Sequence, residues 1–449
     1  MHRTVLLLIV SFAALTASIA LADAPVSPAN AQIEQAERAI ERGSEGPHWH
    51  NRLAMALARR ARETADTSYY EKSEQALEGA FKADPDNFEA RKIQVWNLLG
   101  QHEFTKGLAA AKKLNERAPD DIQVYGFLAD AHVELGQYAE AEEAVQWMLD
   151  MRPGNVPGTT RAAYLREIHG DIDGALDSFR RAYQRIAPTE HEDRAWVLTH
   201  VAHLHLSRGE LDTAEQVLDQ ALALFPDYHY ALAKLAEVRS QQGRLDDAVD
   251  LYRKHYEAAP HPENLFYLAR ALENAGQAED AEQAYREFEK LGRVEMQNAD
   301  NCNRDLVHYY ADHAERPDEA LRIAKLEIER RQDIFTLDAL AWALHQSGDD
   351  AAALVRINQA LSTGIRNADL LLHAAEIHAA LGDTGTAASF FQKAITANPH
   401  SPAAQSARAA LKRVARSPKD AAGASLIGAV ARLVLGGASP AAALSFGAK

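Results

Sequence analysis

Histidines are the first residues in this chain whose number invites chemistry: there are 19. The densest group is His200, His203 and His205, and His48 with His50 forms another. Residues three apart share a helix face, and two imidazoles are enough to begin a metal site. No Cys or further His lies at ligand spacing, and His205 falls on the stripe of Leu198, Val201 and Ala202. These rings therefore read as packed or surface side chains. Carboxylate pairs such as Glu142–Glu143 and Asp246–Asp247 could act as acid and base, but on helices they read as solvated faces. The chain has no Gly-rich phosphate loop, no Cys-x-x-Cys, no His-Glu-x-x-His and no nucleophile elbow. No catalytic residue, cofactor or metal is expected. Cys302 is the only cysteine, so no internal disulfide can form; it reads as a small buried helix residue or as half of an intermolecular bridge.

The elements that would position these residues follow from one pattern that returns about every 34 residues. Its glycines are Gly136, Gly170, Gly209, Gly243 and Gly276, with steps of 34, 39, 34 and 33. Pro119, Pro153, Pro188, Pro226, Pro260 and, further on, Pro399 close units. In Ile122–Pro153, Tyr125, Leu128, Ala129 and His132 form one amphipathic stripe, Gly136 breaks the helix, and Tyr138, Ala141, Val145 and Met148 form a second. Each unit is thus a pair of helices, with Ala129 and Ala141 small where the axes approach. Ala195–Pro226 and His229–Pro260 repeat the pattern well, and 334–364 and 368–399 return to it. Three departures stand out. Unit 86–119 has Arg91 and Gln94 at apolar positions and His102 near the turn. Stretch 293–332 has Glu315-Arg316-Pro317 in place of a glycine turn, and the first unit carries extra residues around Thr64–Ser68.

This order of small, Gly, Ala, aromatic and Pro positions resembles the tetratricopeptide repeat family from about Pro47 to Pro399. The resemblance implies an all-α, right-handed superhelical solenoid of about ten stacked helix-turn-helix repeats. It also implies that the outward stripe of each first helix lines a concave groove. Here that stripe is Trp196, Thr199, His203 and Leu206; its neighbours are Pro157, Thr160, Tyr164 and Glu167, then Tyr230, Ala233, Glu237 and Ser240. Next come Glu263, Phe266, Arg270 and Glu273, and later Phe335, Asp338, Trp342 and His345. Aromatic rings with arginine are what binding hot spots favour. Such rings either meet a partner or pack against the next unit. The candidate groove residues are therefore Tyr164, Trp196, Thr199, His203, Tyr230, Glu237, Phe266, Arg270, Phe335 and Trp342.

The ends of the chain carry further expectations. Met1-His2-Arg3, the apolar Val5–Leu15 and the small residues Ala20-Leu21-Ala22 read as a signal peptide over 1–22, leaving a mature chain from about Asp23. Ser11, Thr16 and Ser18 interrupt the apolar stretch, which is short for a bilayer span. Residues 23–46 read as a leader and first helix, with Ala24–Gln32 flexible, and 47–399 as the solenoid. A capping helix is expected within 400–416 and a poorly ordered tail over 417–449, whose apolar run is too short to span a membrane. A net charge of −16 disfavours nucleic acid and anionic membrane surfaces and permits a basic partner segment. The expectation is an exported, periplasmic or secreted, non-enzymatic scaffold or assembly factor of the cell envelope. It would bind a protein or peptide, carry no membrane span after signal removal, and leave its oligomeric state open. The alternative is a carrier for a small ligand, glycan or metal in a His-rich groove.

Overall fold

The computed structural model describes residues 27–297 and 300–414. The expectations for 1–22 and 417–449 fall outside them. Every regular element among the described residues is helical. A leading helix, α1 (Pro28–Glu41), precedes ten antiparallel hairpins. The first three are α2 (His48–Thr64) with α3 (Ser68–Ala83), α4 (Phe88–Gly100) with α5 (Phe104–Arg117), and α6 (Ile122–Glu134) with α7 (Tyr138–Met151). The next three are α8 (Val156–Ile168) with α9 (Ile172–Arg185), α10 (His191–Ser207) with α11 (Leu211–Leu224), and α12 (His229–Gln241) with α13 (Leu245–Ala258). Then α14 (Pro262–Asn274) pairs with α15 (Ala278–Glu295), and α16 (Cys302–His308), continued by a π-helical turn over Tyr309–His313, pairs with α17 (Pro317–Arg330). The last two are α18 (Ile334–Gln346) with α19 (Asp350–Leu361) and α20 (Ala368–Ala380) with α21 (Thr384–Ala397), and α22 (Pro402–Val414) covers the end.

The local chemistry explains each break. The five repeat glycines sit at φ of 69° to 76°, the left-handed conformation that ends a helix tightly. Where glycine is missing, His102 at φ 58° and Glu315 at φ 51° take the same conformation. The extra residues of the first unit turn through Ala65 at φ 53°. Several helices start on a side-chain cap: Asp121, Asn155, Asp171, Asp349 and Asp383 each accept from a backbone N–H of the first turn. Ala129, Ala141, Ala214 and Ala248 are buried where helix axes meet.

One boundary differs from expectation. Residues 28–32 are helical, because Ser27 caps α1 by accepting from Asn30 N–H and Ala29 and Ala36 bury against α2. The terminal cap starts at Pro402, and Ala407 and Ala410 pack it onto Leu371, Ala375 and Phe391. Cys302 is buried, beside Leu306 and under Gly292.

Six hairpins bring the spiral back over itself. Gln332 N–H donates to Glu134 O at 2.9 Å, and Ile334 N–H to the Tyr138 hydroxyl at 3.0 Å. His169 Nδ1 lies 3.0 Å from Thr363 O, and Asn398 Nδ2 donates to Leu206 O at 2.9 Å. The far ends of the first helices of one turn therefore rest on the near ends of the first helices of the next. Nearer the start, Arg59 and Arg62 pair with Glu190, Glu192 and Asp193. At the centre of this seam Arg331 is almost completely buried, with Nε 3.2 Å from Glu327 Oε1 and a guanidinium nitrogen 2.8 Å from Asn301 Oδ1. The concave face is closed into a bore.

Candidate interaction groove

The bore is lined by the first helices of the hairpins, and most expected residues reach it half-buried. Tyr164, Trp196, His203, Glu237, Phe335 and Trp342 are of this kind, and Tyr230 is 42% exposed. The Trp196 ring stands edge-on to Phe179 of the preceding hairpin at 6.2 Å and lies 4.2 Å from His200. Trp342 donates from Nε1 to Asp312 Oδ1 at 2.7 Å and stacks on His373 at 4.2 Å. Arg304 sits over the Phe335 ring at 5.8 Å. The rings thus both pack on neighbours and keep a face to the bore.

Thr199 and Phe266 belong elsewhere. Thr199 is buried and spends its hydroxyl on Ala195 O at 2.8 Å. Phe266 is only 4% exposed and sits 4.9 Å from Phe288 and 6.2 Å from Tyr285. Those two rings of α15 meet α14 and take Phe266 into the packing. Its neighbour Tyr267 is half-buried, with a hydroxyl held well above its ordinary pKa, first by the Asp305 charge and then by burial.

Charged groups form a network around the bore. His203 Nε2 is 2.8 Å from Glu167 Oε1; burial opposes ionisation of Glu167, yet His203 brings its carboxyl below the usual range. Lys234 donates to Glu237 at 3.1 Å, with the same net effect on Glu237 against burial. Arg270 is exposed, lies 5.7 Å above Phe266, and faces Asp369 from three hairpins away. Burial lifts the Tyr164 and Tyr230 hydroxyls, with nearby carboxylates and tyrosines adding. These side chains meet water and are still surrounded by protein, as a narrow bore requires.

The sequence reading missed Lys234, Tyr267, Asp305, Asp369 and His373. A signal was present for four of them, Asp369 standing thirteen residues before Gly382 as Trp196 does before Gly209 and Tyr230 before Gly243. Lys234, Tyr267 and His373 stand nine residues before Gly243, Gly276 and Gly382, the place that His200 holds before Gly209. That register is a further inward row of each first helix.

The histidine surplus has a local account. His132, His205 and His378 each stand four residues before a turn glycine and face the residue after it. His132 Nδ1 is 2.6 Å from Gln137 Oε1, and His205 Nδ1 is 2.5 Å from Glu210 Oε2. His378 pairs with Asp383 at 3.5 Å. Others are enclosed: burial drives His200, His229 and His255 down to about 4. Among the described residues, no three His, Cys, Asp or Glu side chains converge as a metal site would need.

Models of the tetratricopeptide repeat family match residues 98–157, 202–262, 263–291 and 339–402. The chain is a tetratricopeptide repeat protein. Tetratricopeptide repeat protein 21A of Mus musculus is 28% identical to it over 156 residues, which is 34% of this chain and 11% of that protein. Among solved structures, the human IFIT1 dimer with PPP-AAAA is 14% identical, covers 82% of this chain and 87% of its own, and superposes with a TM-score of 0.47. PilW, described as a widely conserved type IV pilus biogenesis factor, is 14% identical over 45% of this tetratricopeptide repeat protein and 92% of its own chain, with a TM-score of 0.39. No helix among the described residues is long and apolar enough to cross a membrane.

Proposed function

We propose that this tetratricopeptide repeat protein is a non-enzymatic scaffold that holds a segment of a partner polypeptide along its bore, acting in the cell envelope after export. The observation that carries the reading is the inner row itself. Tyr164, Trp196, Tyr230, Tyr267 and Trp342 each keep part of a ring free on the inner face, although Tyr164, Trp196, Tyr267 and Trp342 also pack against the cores of the hairpins. Exposed aromatic surface costs solubility and is the kind of group that anchors a partner. Acidic and basic side chains alternate with the rings, which suits a polypeptide with mixed side chains and backbone polar groups. The export part rests on the apolar N-terminal stretch and the small residues before Asp23.

The test is site-specific photo-crosslinking in the native host. A photoreactive residue at Tyr230 should capture a discrete polypeptide, and the same residue at the exposed Asp246 on a second helix should not. Capture from both positions, or from neither, rejects the bore as the binding surface. Intact-mass measurement of the native protein checks export: a mass that retains Met1–Ala22 removes the envelope assignment.

A further inference from the structure

Each end of the spiral is half of a hairpin. α22 packs on α20 and α21, as α20 packs on α18 and α19, but among the described residues no second helix follows it. α1 packs on α2, as each second helix packs on the first helix after it, but no first helix precedes it among the described residues. The side left open on α1 carries Glu34, Glu37 and Glu41, exposed and at helical steps. Its one basic residue, Arg38, is already 3.3 Å from Glu34. The side left open on α22 carries Gln405, Ser406, Ala409, Lys412 and Arg413, all exposed, and this helix has no acidic residue. The two sides are opposite in charge, and Ser406 and Ala409 are small enough for a second axis to come close. Within one chain they cannot meet. α2 supports the start of α10 through Arg59 and Arg62, and the far end of α10 supports Asn398, just before α22. The 17 residues of α10, about 25 Å of helix, therefore stand between the two ends.

The seam shows how a further coil would sit. A Cβ added at Gly136, Gly170 or Gly209 would meet Gln332 O, Gly364 O or Pro399 Cδ. The turns of the third, fourth and fifth hairpins thus lie under the loops before the ninth hairpin, the tenth and α22, a constant step. At Gly243, Gly276, Gly348 and Gly382 the same addition meets nothing within 4 Å, so this rim is uncovered. It also leaves an apolar side chain in water. Leu381, just before Gly382, is 44% exposed, whereas Leu135, at the same place before Gly136, packs into a core that takes in Ile334 from the later coil.

We propose that the protein associates head to tail with a second copy of itself, α22 of one molecule and α1 of the next closing one composite hairpin, so that the spiral continues from chain to chain. Counted with the step of the seam, the turns at Gly276 and Gly348 then come under the loops 84–87 and 152–155 of the second copy. Contact of α1 with α1, or of α22 with α22, would set like charges together, so the interface is heterologous and open-ended. Its helix-to-helix part is polar and exposed at the edges, which makes the association weak, concentration-dependent and sensitive to salt. It is independent of what the bore holds.

Sedimentation velocity of the full chain over a concentration series tests this. At low salt the weight-average mass should rise above that of one chain as concentration increases. About 1 M salt, where the Debye length falls to about 3 Å, should reverse the rise. One variant carries Glu37→Lys with Glu41→Lys, and another carries Lys412→Glu with Arg413→Glu. Each alone should self-associate about tenfold more weakly or worse, because its two ends now repel. An equimolar mixture of the two should assemble again, since each supplies the charge that the other has reversed. A structural defect would not be repaired by mixing. Asp246→Lys on an outer helix should change association less than about twofold. A wild type that stays a single chain throughout the series, variants that remain apart when mixed, or equal weakening by Asp246→Lys each overturns the head-to-tail contact.

Discussion

Replacing turn glycines with alanine separates the seam from the turn itself. Gly136, Gly170, Gly243 and Gly276 share a left-handed backbone, with φ of 69°, 74°, 76° and 74°. Alanine there costs about 1–2 kcal/mol through its own Cβ. At Gly243 and Gly276 nothing lies within 4 Å of that added atom, so the cost stops there. At Gly136 the Cβ would sit 2.6 Å from Gln332 O, and at Gly170 it would strike Gly364 O, both backbone atoms of the next turn. Relief at Gly136 requires the turns to part, which gives up the bonds of Gln332 N–H to Glu134 O and Ile334 N–H to Tyr138. At about 1 kcal/mol for each lost bond, Gly136→Ala should cost about 3–4 kcal/mol against about 1–2 for Gly243→Ala. Hairpins touch mainly their sequence neighbours, so the spiral should open before the hairpins melt. Energy transfer between dyes on Glu140→Cys and Glu329→Cys reads the opening. Cys302 is buried and burial pushes its thiol pKa up, so it should stay unlabelled. Equal urea midpoints and unchanged transfer efficiency for Gly136→Ala and Gly243→Ala would refute the closed seam.

Four further outcomes follow from packing and charge. Ala214 is fully buried and Asp219 exposed, so Ala214→Leu should cost about 1–3 kcal/mol by overpacking, and Asp219→Leu far less, in a urea titration. Phe266→Ala should destabilise by about 3–5 kcal/mol as a buried ring, whereas Tyr230→Ala should leave melting nearly unchanged and weaken partner binding by about 2 kcal/mol. Burial lowers His229 from 6.5 to about 4, so the unfolded chain takes up a proton in that window and the folded chain does not. Stability from this site is thus complete above pH 6.5 and lost as pH falls toward 4, and His229→Gln should flatten that part of the urea-midpoint profile. The native protein should begin at or near Asp23 by intact mass.

What sequence could and could not reveal divides by range. Hairpins are local: a stripe, a left-handed residue and a second stripe lie within one unit, so even His102 and Glu315 were placed at turns without glycine. The inward rows also obey helical spacing, which is why Trp196, Tyr230 and Trp342 reach the bore. Phe266 does not, because its burial depends on Tyr285 and Phe288, two large rings that the following helix presents to it. The seam was illegible for a stronger reason. Gly136 and Gly243 carry the same turn signature, yet a Cβ added at the first would meet a carbonyl about two hundred positions away and at the second would meet nothing within 4 Å. Asp305 was hidden by the π-helical turn that follows it, which shifts the register of α16 against the repeat.

The closure between turns also governs time. For a guest lying along the bore, a loose terminus can thread in, whereas an internal stretch of a folded partner enters only when the joined turns separate. Such a receptor captures tails quickly and loops slowly. For loops, the observed rate should reach a plateau with rising partner concentration, set by how often Gln332 leaves Glu134. Stopped-flow mixing with a tail-bearing and a loop-bearing form of one segment would show it. Once seated, either guest would leave no faster than the gate allows, so long residence would come from architecture more than from the strength of any single contact.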